Sequence, residues 1–376
     1  MSAKPGTVAL PVATARFVRP LAAEARRRGL PFYAVGGPVR DWLLRRETFD
    51  LDFSVVGDPD PLAELCARRI GGRSEPFGRF GTRRVIGRGR FRVDFATTRA
   101  ETYPEPAALP EVTAVRVPIE ADLFRRDFTI NAMAARLDDE SRAVVDPYGG
   151  RRDLKDRTLR VLHPASFRDD PTRVFRAARF LGRLSGRPAA GMMDEAKEAL
   201  AAGHAARLSR HRLLHELICL LGEDDPRPAF ALLDGWGYLD LLFPGLPHRA
   251  PLPKGLEPRL AALALALGRD RGRAFAESFP FEHHLRVLLK ETLELAASDK
   301  APRADLPPEV AAAVRRAFPK LPPAALKPRF LRGADLIAQG LKPGPGFHEI
   351  LDEAARLQRA GTLKTRAAAL AWLKTR

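Results

Sequence analysis

Strand-like patterns are confined to the first 146 residues of this chain, and the remainder has the pattern of helices. The segment FDLDFSVVG alternates strictly, with Leu51, Phe53 and Val55 on one face and polar side chains on the other. Such an alternation predicts a half-buried strand. The segment RRVIGRGRFRVDFAT predicts a hairpin. After Asp146, helical segments follow one another, separated by proline-rich joins. We therefore expect an α+β head, with a small mixed sheet and helices, followed by an all-α neck, body and tail.

The length of 376 residues exceeds one ordinary domain and predicts two or three. We place the head at residues 1–146, a helical neck at 147–240, and a helical body and tail at 241–376. The residues between about 99 and 119 are rich in proline and glutamate, and we expect them to form a loop.

The formal net charge of +17 favours a polyanionic partner such as a nucleic acid. The alternative is a compositional habit, because arginine is common throughout the chain. The two cysteines are too few for a disulfide scaffold. The sequence has no run approaching the roughly 20 apolar residues of a membrane span and no convincing signal-peptide pattern. These features predict a cytoplasmic protein.

Paired carboxylates mark the alternating strand. Asp50 and Asp52 are two residues apart, so they project from the same face. A third carboxylate, Asp94, lies in another alternating segment and is assigned to the site from its position. Carboxylates on two neighbouring strands suit Mg²⁺ and a two-metal phosphoryl-transfer site. For Asp50 and Asp52 alone, the alternative is the solvent face of an amphipathic strand.

A glycine pair precedes this strand. Gly36 and Gly37 separate a short apolar strand from a helix that begins near Pro38 and contains Arg40. Glycines allow backbone N–H groups to approach a phosphate, and an arginine adds a fork of donors. The segment therefore predicts a triphosphate site, and the alternative is an ordinary strand-to-helix turn.

The segment RRDFTINAMA carries charged and polar groups into an apolar stretch. We expect the adjacent Arg125 and Arg126 to point in different directions, so that at most one faces a given phosphate. Asp127 and Asn131 are four residues apart and share a face if the segment is helical, where they could bind a ribose hydroxyl. The alternative is a helix cap, at Asp127, with exposed arginines.

The segment DDPTRVFR contains a helix start. Asp170 precedes a proline, and Arg173 lies three residues further on. A carboxylate acceptor beside a guanidinium donor complements the base edge of cytosine or adenine, which pairs an amino donor with a ring-nitrogen acceptor. The alternative, a cap with an ion pair, requires the same two residues.

In this order, the segments resemble the class II tRNA nucleotidyltransferases and bacterial poly(A) polymerases of the polymerase β superfamily. The resemblance covers about residues 20–220 and is carried by five motifs. The motifs are VGGPVRDWLLRRETFDLDFSVV, RRDFTINAMA, DPYGGRRDLKDRTLR, RDDPTRVFRAARF and LSRHRLLHEL.

The resemblance implies a role for each matching residue. Asp50 and Asp52 would bind two Mg²⁺ ions and activate an RNA 3′-hydroxyl. Three further groups would hold the nucleotide: Gly36, Gly37 and Arg40 on the triphosphate; Arg126, Asp127 and Asn131 on the ribose; Asp170 and Arg173 on the base, supported by Arg176 and Arg179.

The implied activity is the template-independent addition of C and A to the 3′ end of tRNA, from CTP and ATP, with release of pyrophosphate. The alternatives are an enzyme that adds only CC or only A, a poly(A) polymerase, and an inactive RNA-binding relative. The stretch at residues 77–82 resembles the nucleotidyltransferase form rather than the poly(A) polymerase form, and the presence of residues 99–119 favours CCA or A addition. The body and tail would dock tRNA by shape and backbone contacts.

Overall fold

The computed structural model describes residues 6–48, 50–78, 81–89, 91–250, 252–297, 307–317 and 329–375. Two residues of the 77–82 stretch, Arg79 and Phe80, therefore lie outside the described residues. The chain divides into two compact units, Met1–Arg207 and Leu208–Arg376. The finer division into head, neck, body and tail remains a prediction.

The strands belong to the first unit. In chain order they are β1 (Phe32–Val35), β2 (Leu51–Val55), β3 (Arg73–Phe77), β4 (Thr82–Ile86), β5 (Arg92–Thr97), β6 (Arg99–Thr102), β7 (Glu111–Val115), β8 (Ala134–Arg136), β9 (Val144–Val145), β10 (Thr158–Leu159) and β11 (Arg187–Pro188).

The main sheet has the order β3-β4-β5-β2-β1-β8-β9 in the described part of this unit. Strands β2 and β5 are parallel, whereas the other neighbours are antiparallel. The expected mixed sheet and the β4–β5 hairpin are confirmed. The short strands β3, β8 and β9 escaped sequence reasoning, because two to five residues are too few for a clear alternation.

The two faces of this sheet have different roles. On one face, the ring of Phe53 lies 5.0 Å from that of Phe32 and 5.1 Å from that of Phe95, between ring centroids. These buried rings form a core that the alternation in β2 predicts. Asp52 pairs in register with Asp94 on the opposite face, where residues predicted for the site lie.

The expectation of a loop at residues 99–119 is wrong, because β6 and β7 form a two-stranded antiparallel sheet. The side chain of Glu101 in β6 is only 4% exposed and accepts from Arg99 at 2.5 Å and from the distant Arg125 at 3.4 Å. Three of the four prolines that suggested a loop lie in the connection between the two strands, whereas two of the three glutamates, Glu101 and Glu111, lie in the strands. Pairing between distant charged side chains is not visible in a local pattern.

The helices of the first unit surround the main sheet and continue beyond it. They are α1 (Val12–Arg27), α2 (Gly37–Leu43), α3 (Asp60–Ile70), α4 (Ile119–Phe124), α5 (Gly150–Lys155), α6 (Ser166–Asp169), α7 (Thr172–Leu184) and α8 (Met192–Ala201). Helix α4 packs through Ile119 and Leu123 against Tyr33 and Val35, on the active-site face of the sheet.

The second unit is helical throughout its described residues. Its helices are α9 (Arg210–Leu221), α10 (Arg227–Gly235), α11 (Leu239–Leu242), α12 (Leu256–Ala266), α13 (Arg269–Ser278), α14 (His283–Ala297), α15 (Pro308–Ala317), α16 (Gly333–Ala338), α17 (Pro345–Arg359) and α18 (Arg366–Leu373). The expected helical region after residue 146 is confirmed, except that the part predicted as an all-α neck also contains the paired two-residue strands β10 and β11. Among the described residues, the search for a helix that is long and apolar enough to cross a membrane finds none.

Candidate active site

One cavity of about 520 Å³ in the first unit collects the polar residues of four sequence motifs. Twelve of the thirteen residues predicted for the site line it: Gly36, Gly37, Arg40, Asp50, Asp52, Arg126, Asp127, Asn131, Asp170, Arg173, Arg176 and Arg179. Eight arginines and five carboxylates are among the lining residues. Cations therefore outnumber anions, as a site for a polyphosphate requires.

Asp50 and Asp52 stand at the start of β2, where the strand emerges at the cavity. The Asp50 side chain is largely exposed, and its nearest cation is Arg92, at 3.9 Å. Burial raises the pKa of Asp52 to about 6, with Arg126 opposing the rise and Asp50 and Asp94 adding to it. A buried carboxylate among other carboxylates is a group whose charge a bound cation would stabilise.

Asp94 is the predicted residue that does not line the cavity. It lies beside Asp52 in the parallel β2–β5 pairing, but both of its carboxylate oxygens accept from Arg84, at 2.8 and 2.7 Å. No cluster of three or more acidic, histidine or cysteine side chains with metal-binding geometry occurs in the described ranges. The assignment of Asp94 as a third catalytic carboxylate remains a prediction.

The glycine turn brings the backbone close to an arginine. Gly36 has φ +74°, and a Cβ atom there would lie 2.7 Å from Nη1 of Arg126. A side chain at this position would therefore be strained and would collide with the guanidinium. The turn follows β1 and leads into α2, where Arg40 is buried.

A hydrogen-bonded chain runs beneath the cavity. Arg40 donates to Asn131 Oδ1 at 2.7 Å, and Asn131 Nδ2 donates to Asp127 Oδ1 at 3.0 Å. Asp127 Oδ2 accepts from Nε of Arg176 at 2.8 Å. Burial alone would raise the pKa of Asp127, but Arg176 and Asn131 outweigh it and lower the pKa. Asp127 is thus an ionised carboxylate, and the chain fixes the side chains predicted to face the ribose.

The segment that holds Asp127 and Asn131 is not an α-helix. Residues Thr129–Asn131 form one 3₁₀ turn, and Phe128 before them is extended. The two side chains nevertheless meet, because the turn brings Asn131 back over Asp127. The expected proximity is therefore present, although its cause differs from the shared helical face.

Asp170 and Arg173 lie at the start of α7. Asp170 Oδ1 accepts from the backbone N–H and the hydroxyl of Thr172, at 3.0 and 2.5 Å. The N-cap position of α7 is nevertheless Pro171, so Asp170, the expected cap, stands one residue before it. The guanidinium of Arg173 donates to Ser166 Oγ at 2.5 Å and to the hydroxyl of Tyr103 at 3.3 Å. Both residues also line the cavity, so the contact with Thr172 and a base-reading role of Asp170 are compatible.

Sequence reasoning missed several residues that shape the cavity. Phe180 lies beneath three guanidinium groups, those of Arg40, Arg176 and Arg183, at 5.2, 5.8 and 5.7 Å from its ring centroid. Glu101 and Tyr103 enter from β6 and the residue after it. An aromatic residue among arginines in RVFRAARF was a usable signal for Phe180, whereas Glu101 and Tyr103 depend on the unpredicted sheet.

Comparison with known proteins agrees with this geometry. A family model described as the Poly A polymerase head domain matches residues 32–160. The A-adding tRNA nucleotidyltransferase of Geobacter sulfurreducens is 42% identical over 238 residues, which are 63% of this chain and 27% of that protein. The chain spans about a quarter of the length of that relative and of its Aquifex aeolicus counterpart, and about half of the Halalkalibacterium halodurans one.

Solved structures resemble nearly the whole chain. A tRNA-processing enzyme in an apo form has a TM-score of 0.66 at 28% identity, covering 93% of this chain and 98% of that one. The Thermotoga maritima CCA-adding enzyme complexed with tRNA has a TM-score of 0.61 at 25% identity, covering 97% and 96%.

The CC-adding tRNA nucleotidyltransferase of Deinococcus radiodurans is similar over most of its length. It is 33% identical over 343 residues, which are 88% of this chain and 85% of that protein. The likeness therefore extends past the head domain into the helical second unit. On this evidence the chain belongs to the tRNA nucleotidyltransferase family.

Proposed function

We propose that this protein adds C and A residues to the 3′ end of tRNA without a template, using CTP and ATP and releasing pyrophosphate. The observation that carries this proposal is the single cavity shared by a pair of carboxylates, a glycine turn and the Asp170–Arg173 pair. These are the parts needed to bind a triphosphate and to read a base edge in one site. Relatives named for A, CC and CCA addition support the same reaction class.

The residues present fit a divalent cation, which nucleotidyltransferases generally use. Mg²⁺ usually takes one or two protein carboxylates and completes its shell with substrate phosphates and water. Asp50 and Asp52 offer such a pair, and the pKa of Asp52 is raised mainly by burial and further by the neighbouring carboxylates Asp50 and Asp94. We propose that these two residues hold Mg²⁺, which when bound neutralises the triphosphate and favours ionisation of the RNA 3′-hydroxyl.

The remaining residues bind and orient the substrates. The glycine turn at Gly36 and Gly37 holds the triphosphate with Arg40, while Asp127 and Asn131 hold the ribose. Arg126, which the resemblance assigns to the ribose, lies against the glycine turn and can also reach the triphosphate. The α-phosphate is thereby presented in line with the attacking hydroxyl, and pyrophosphate leaves on the opposite side. The protein's contribution is positioning and charge neutralisation, because the reaction needs little other covalent chemistry.

Base choice rests on Asp170 and Arg173. A carboxylate acceptor and a guanidinium donor match cytosine and adenine and are mismatched to uracil and guanine. Arg173 is held by Ser166 and Tyr103, so its donors are fixed before a nucleotide arrives. Arg176 and Arg179 would support the pair from the next turns of α7.

The tRNA itself would bind over a wider area. The second unit contains a groove of about 590 Å³ between α13 and α14 with a net positive lining. Its charged residues are the cations Arg269, Arg273, Arg286 and Lys290 and the carboxylates Glu277 and Glu294. Such a groove suits the phosphate backbone of an RNA duplex. We propose that this helical region docks tRNA and that the protein acts in the cytoplasm.

Two narrower activities compete with complete CCA addition. Relatives named CC-adding and A-adding both match this chain. The folded β6–β7 sheet, from which Tyr103 reaches Arg173, supports CCA or A addition, because the sequence keeps the segment expected to be lost in a CC-adding enzyme.

The proposed function is tested by extending defined tRNA ends. Pure protein with Mg²⁺ receives tRNA ending at the discriminator base or tRNA ending in CC, with labelled CTP, ATP or both. We expect growth to CCA followed by arrest, resolved at single-nucleotide length.

Each other outcome assigns a different activity. Addition of A to the CC end alone, or of CC to the bare end alone, identifies one half of a divided activity, and long A tails identify a poly(A) polymerase. Asp52→Ala should abolish every addition while leaving tRNA affinity within a few fold. An Asp52→Ala variant that still extended RNA would contradict the metal assignment.

A further inference from the structure

The carboxylate of Asp122 is completely buried at the centre of the active-site face. Its Oδ1 accepts from Nε of Arg125 at 3.0 Å and from the backbone N–H of Arg99 at 3.1 Å. Its Oδ2 lies 3.4 Å from the hydroxyl of Ser54 and 3.5 Å from Nη2 of Arg126. The Asp122 side chain, in α4, thus contacts strand β2, the β6–β7 sheet and both adjacent arginines.

This carboxylate is charged. Burial by itself would raise the pKa of Asp122, but Arg125, Arg126 and the backbone N–H of Arg99 outweigh it, and the pKa is lowered. A buried ionised carboxylate orients the cations around it more strictly than an exposed one, because no water competes for them.

The two arginines were expected to point in different directions, and that expectation is wrong, because both guanidinium groups reach Asp122. The two arginines differ in how fully direct ion pairs with carboxylates offset their charges. Arg125 lies 2.9 Å from Asp122 and also 3.4 Å from Glu101, which is buried as well. The charge of Arg125 is therefore offset by two carboxylates within the protein.

Arg126 makes weaker direct contacts with carboxylates than Arg125 does. Its ion pair with Asp122 is long, at 3.5 Å, and its buried Nε has no hydrogen-bond partner among the described residues. Its Nη1 lies against the glycine turn, where a Cβ atom on Gly36 would be 2.7 Å away. Asp52 and Asp127 also act on the charge of Arg126, but its direct ion pair is the longer one. The guanidinium with the longer ion pair is thus the one next to the backbone expected to meet the triphosphate.

We propose that Asp122 is a positioning residue that neutralises Arg125 and aims Arg126 at the triphosphate of the incoming nucleotide. This inference rests on the proposed function. It assigns Arg126, and not Arg125, as the phosphate-binding cation of the pair, and it makes Asp122 act through Arg126 without contacting substrate. Asp122 lies four residues before Arg126, and the two form an i,i+4 ion pair across the end of α4.

The test is Asp122→Asn, which keeps the size and one acceptor but removes the charge. We expect KM for ATP and CTP to rise 10- to 50-fold, with kcat within fivefold and tRNA affinity within threefold. Inhibition by inorganic pyrophosphate should weaken by a similar factor, because pyrophosphate presents the same phosphates without a base or ribose. A purely structural defect would instead lower kcat and the amount of active enzyme and leave KM unchanged.

The matched control is Asp138→Asn. Asp138 also accepts from a backbone N–H, that of Phe32, and from an arginine, Arg136, but it does not line the cavity. We expect this variant to keep the wild-type KM for both nucleotides.

A double-mutant cycle separates a role through Arg126 from a general loss of structure. In an Arg126→Gln background, Asp122→Asn should raise KM by less than threefold. An undiminished effect in that background, or an unchanged KM in the single variant, would overturn the proposal.

Two further measurements keep the proposal testable if Asp122→Asn does not fold or the wild type adds no nucleotide. Arg126→Lys should raise the nucleotide KM at least five times more than Arg125→Lys, and the reverse order would overturn the proposal. If wild-type protein binds ATP, CTP and pyrophosphate by calorimetry but extends no RNA, the proposed function fails. The inference about Asp122 is then still tested by measuring the affinities of the Asp122→Asn variant for ATP, CTP and pyrophosphate by calorimetry.

Discussion

At the scale of single residues, the site is shaped by charges that are buried before any substrate arrives. Asp122, Asp127 and Glu101 are buried carboxylates that hold arginines in fixed positions. Asp52 is the exception, since burial raises its pKa to about 6. The distribution keeps the arginines oriented and leaves Asp52 as the carboxylate that we propose to bind a cation.

Gly36→Ala tests the close approach at the glycine turn. The added Cβ would meet Nη1 of Arg126 at 2.7 Å, and φ of +74° disfavours a side chain. We expect a loss of about 1–3 kcal/mol in stability and at least a tenfold rise in KM for ATP and CTP. Thermal unfolding and steady-state kinetics measure the two effects.

Gly29→Ala is the control for backbone strain. Gly29 has φ +64°, but a Cβ atom there would meet nothing within 4 Å. The Gly29→Ala variant should lose about as much stability as the Gly36→Ala variant, but it should keep the wild-type KM for ATP and CTP. If both alanine variants raised KM alike, the collision with Arg126 would not be the cause.

Residues that act through distant partners were the hardest to predict. Asp50, Asp52 and the glycine pair were found because a strand alternation and a turn are local patterns. Asp122 precedes Arg125 and Arg126 by three and four residues, which is a helical ion-pair spacing and was a usable signal. Glu101 gave no such sequence signal, because one of the arginines that it pairs with, Arg125, comes from another element.

At the scale of elements, helix spacing was more informative than loop composition. Helices α7, α9 and α14 all lie in the region after Asp146 where helical segments were expected. The β6–β7 sheet was missed, because its strands are four and five residues long and rich in charge. Short strands of this kind are stabilised by tertiary contacts that composition does not reveal.

The cations of the basic groove in the second unit are aligned by their spacing along two helices. Arg269 and Arg273 are four apart on α13, and Arg286 and Lys290 are four apart on α14. We predict that Arg273→Glu with Lys290→Glu weakens tRNA binding 10- to 100-fold and flattens the dependence of affinity on salt, because phosphate contacts are lost. Binding measured between about 50 and 200 mM salt tests this.

A charge-matched pair on the same unit serves as the control. Arg227 and Arg356 are exposed and lie outside the groove. Reversing both changes the net charge equally and should leave tRNA affinity within threefold. An equal loss from both pairs would mean that overall charge, and not the groove, binds the RNA.

At the scale of the whole molecule, chemistry and base choice are assigned to different parts of the first unit. The carboxylates and the glycine turn belong to the mixed sheet, whereas Asp170 and Arg173 belong to α7 and the residues before it. The order of motifs along the chain predicted this separation. The geometry that brings both sets to one cavity came only from the fold.

The central claim is that protein side chains, and not a nucleic-acid template, choose the incoming base. It is tested most directly by the ratio of CTP to UTP incorporation on tRNA ending at the discriminator base. Asp170→Asn replaces an acceptor with a group that both donates and accepts, so the account predicts at least a tenfold fall in that ratio, with extension retained. The neighbouring Asp169→Asn, outside the cavity, should keep the wild-type ratio. A wild-type ratio in the Asp170→Asn variant would contradict the account.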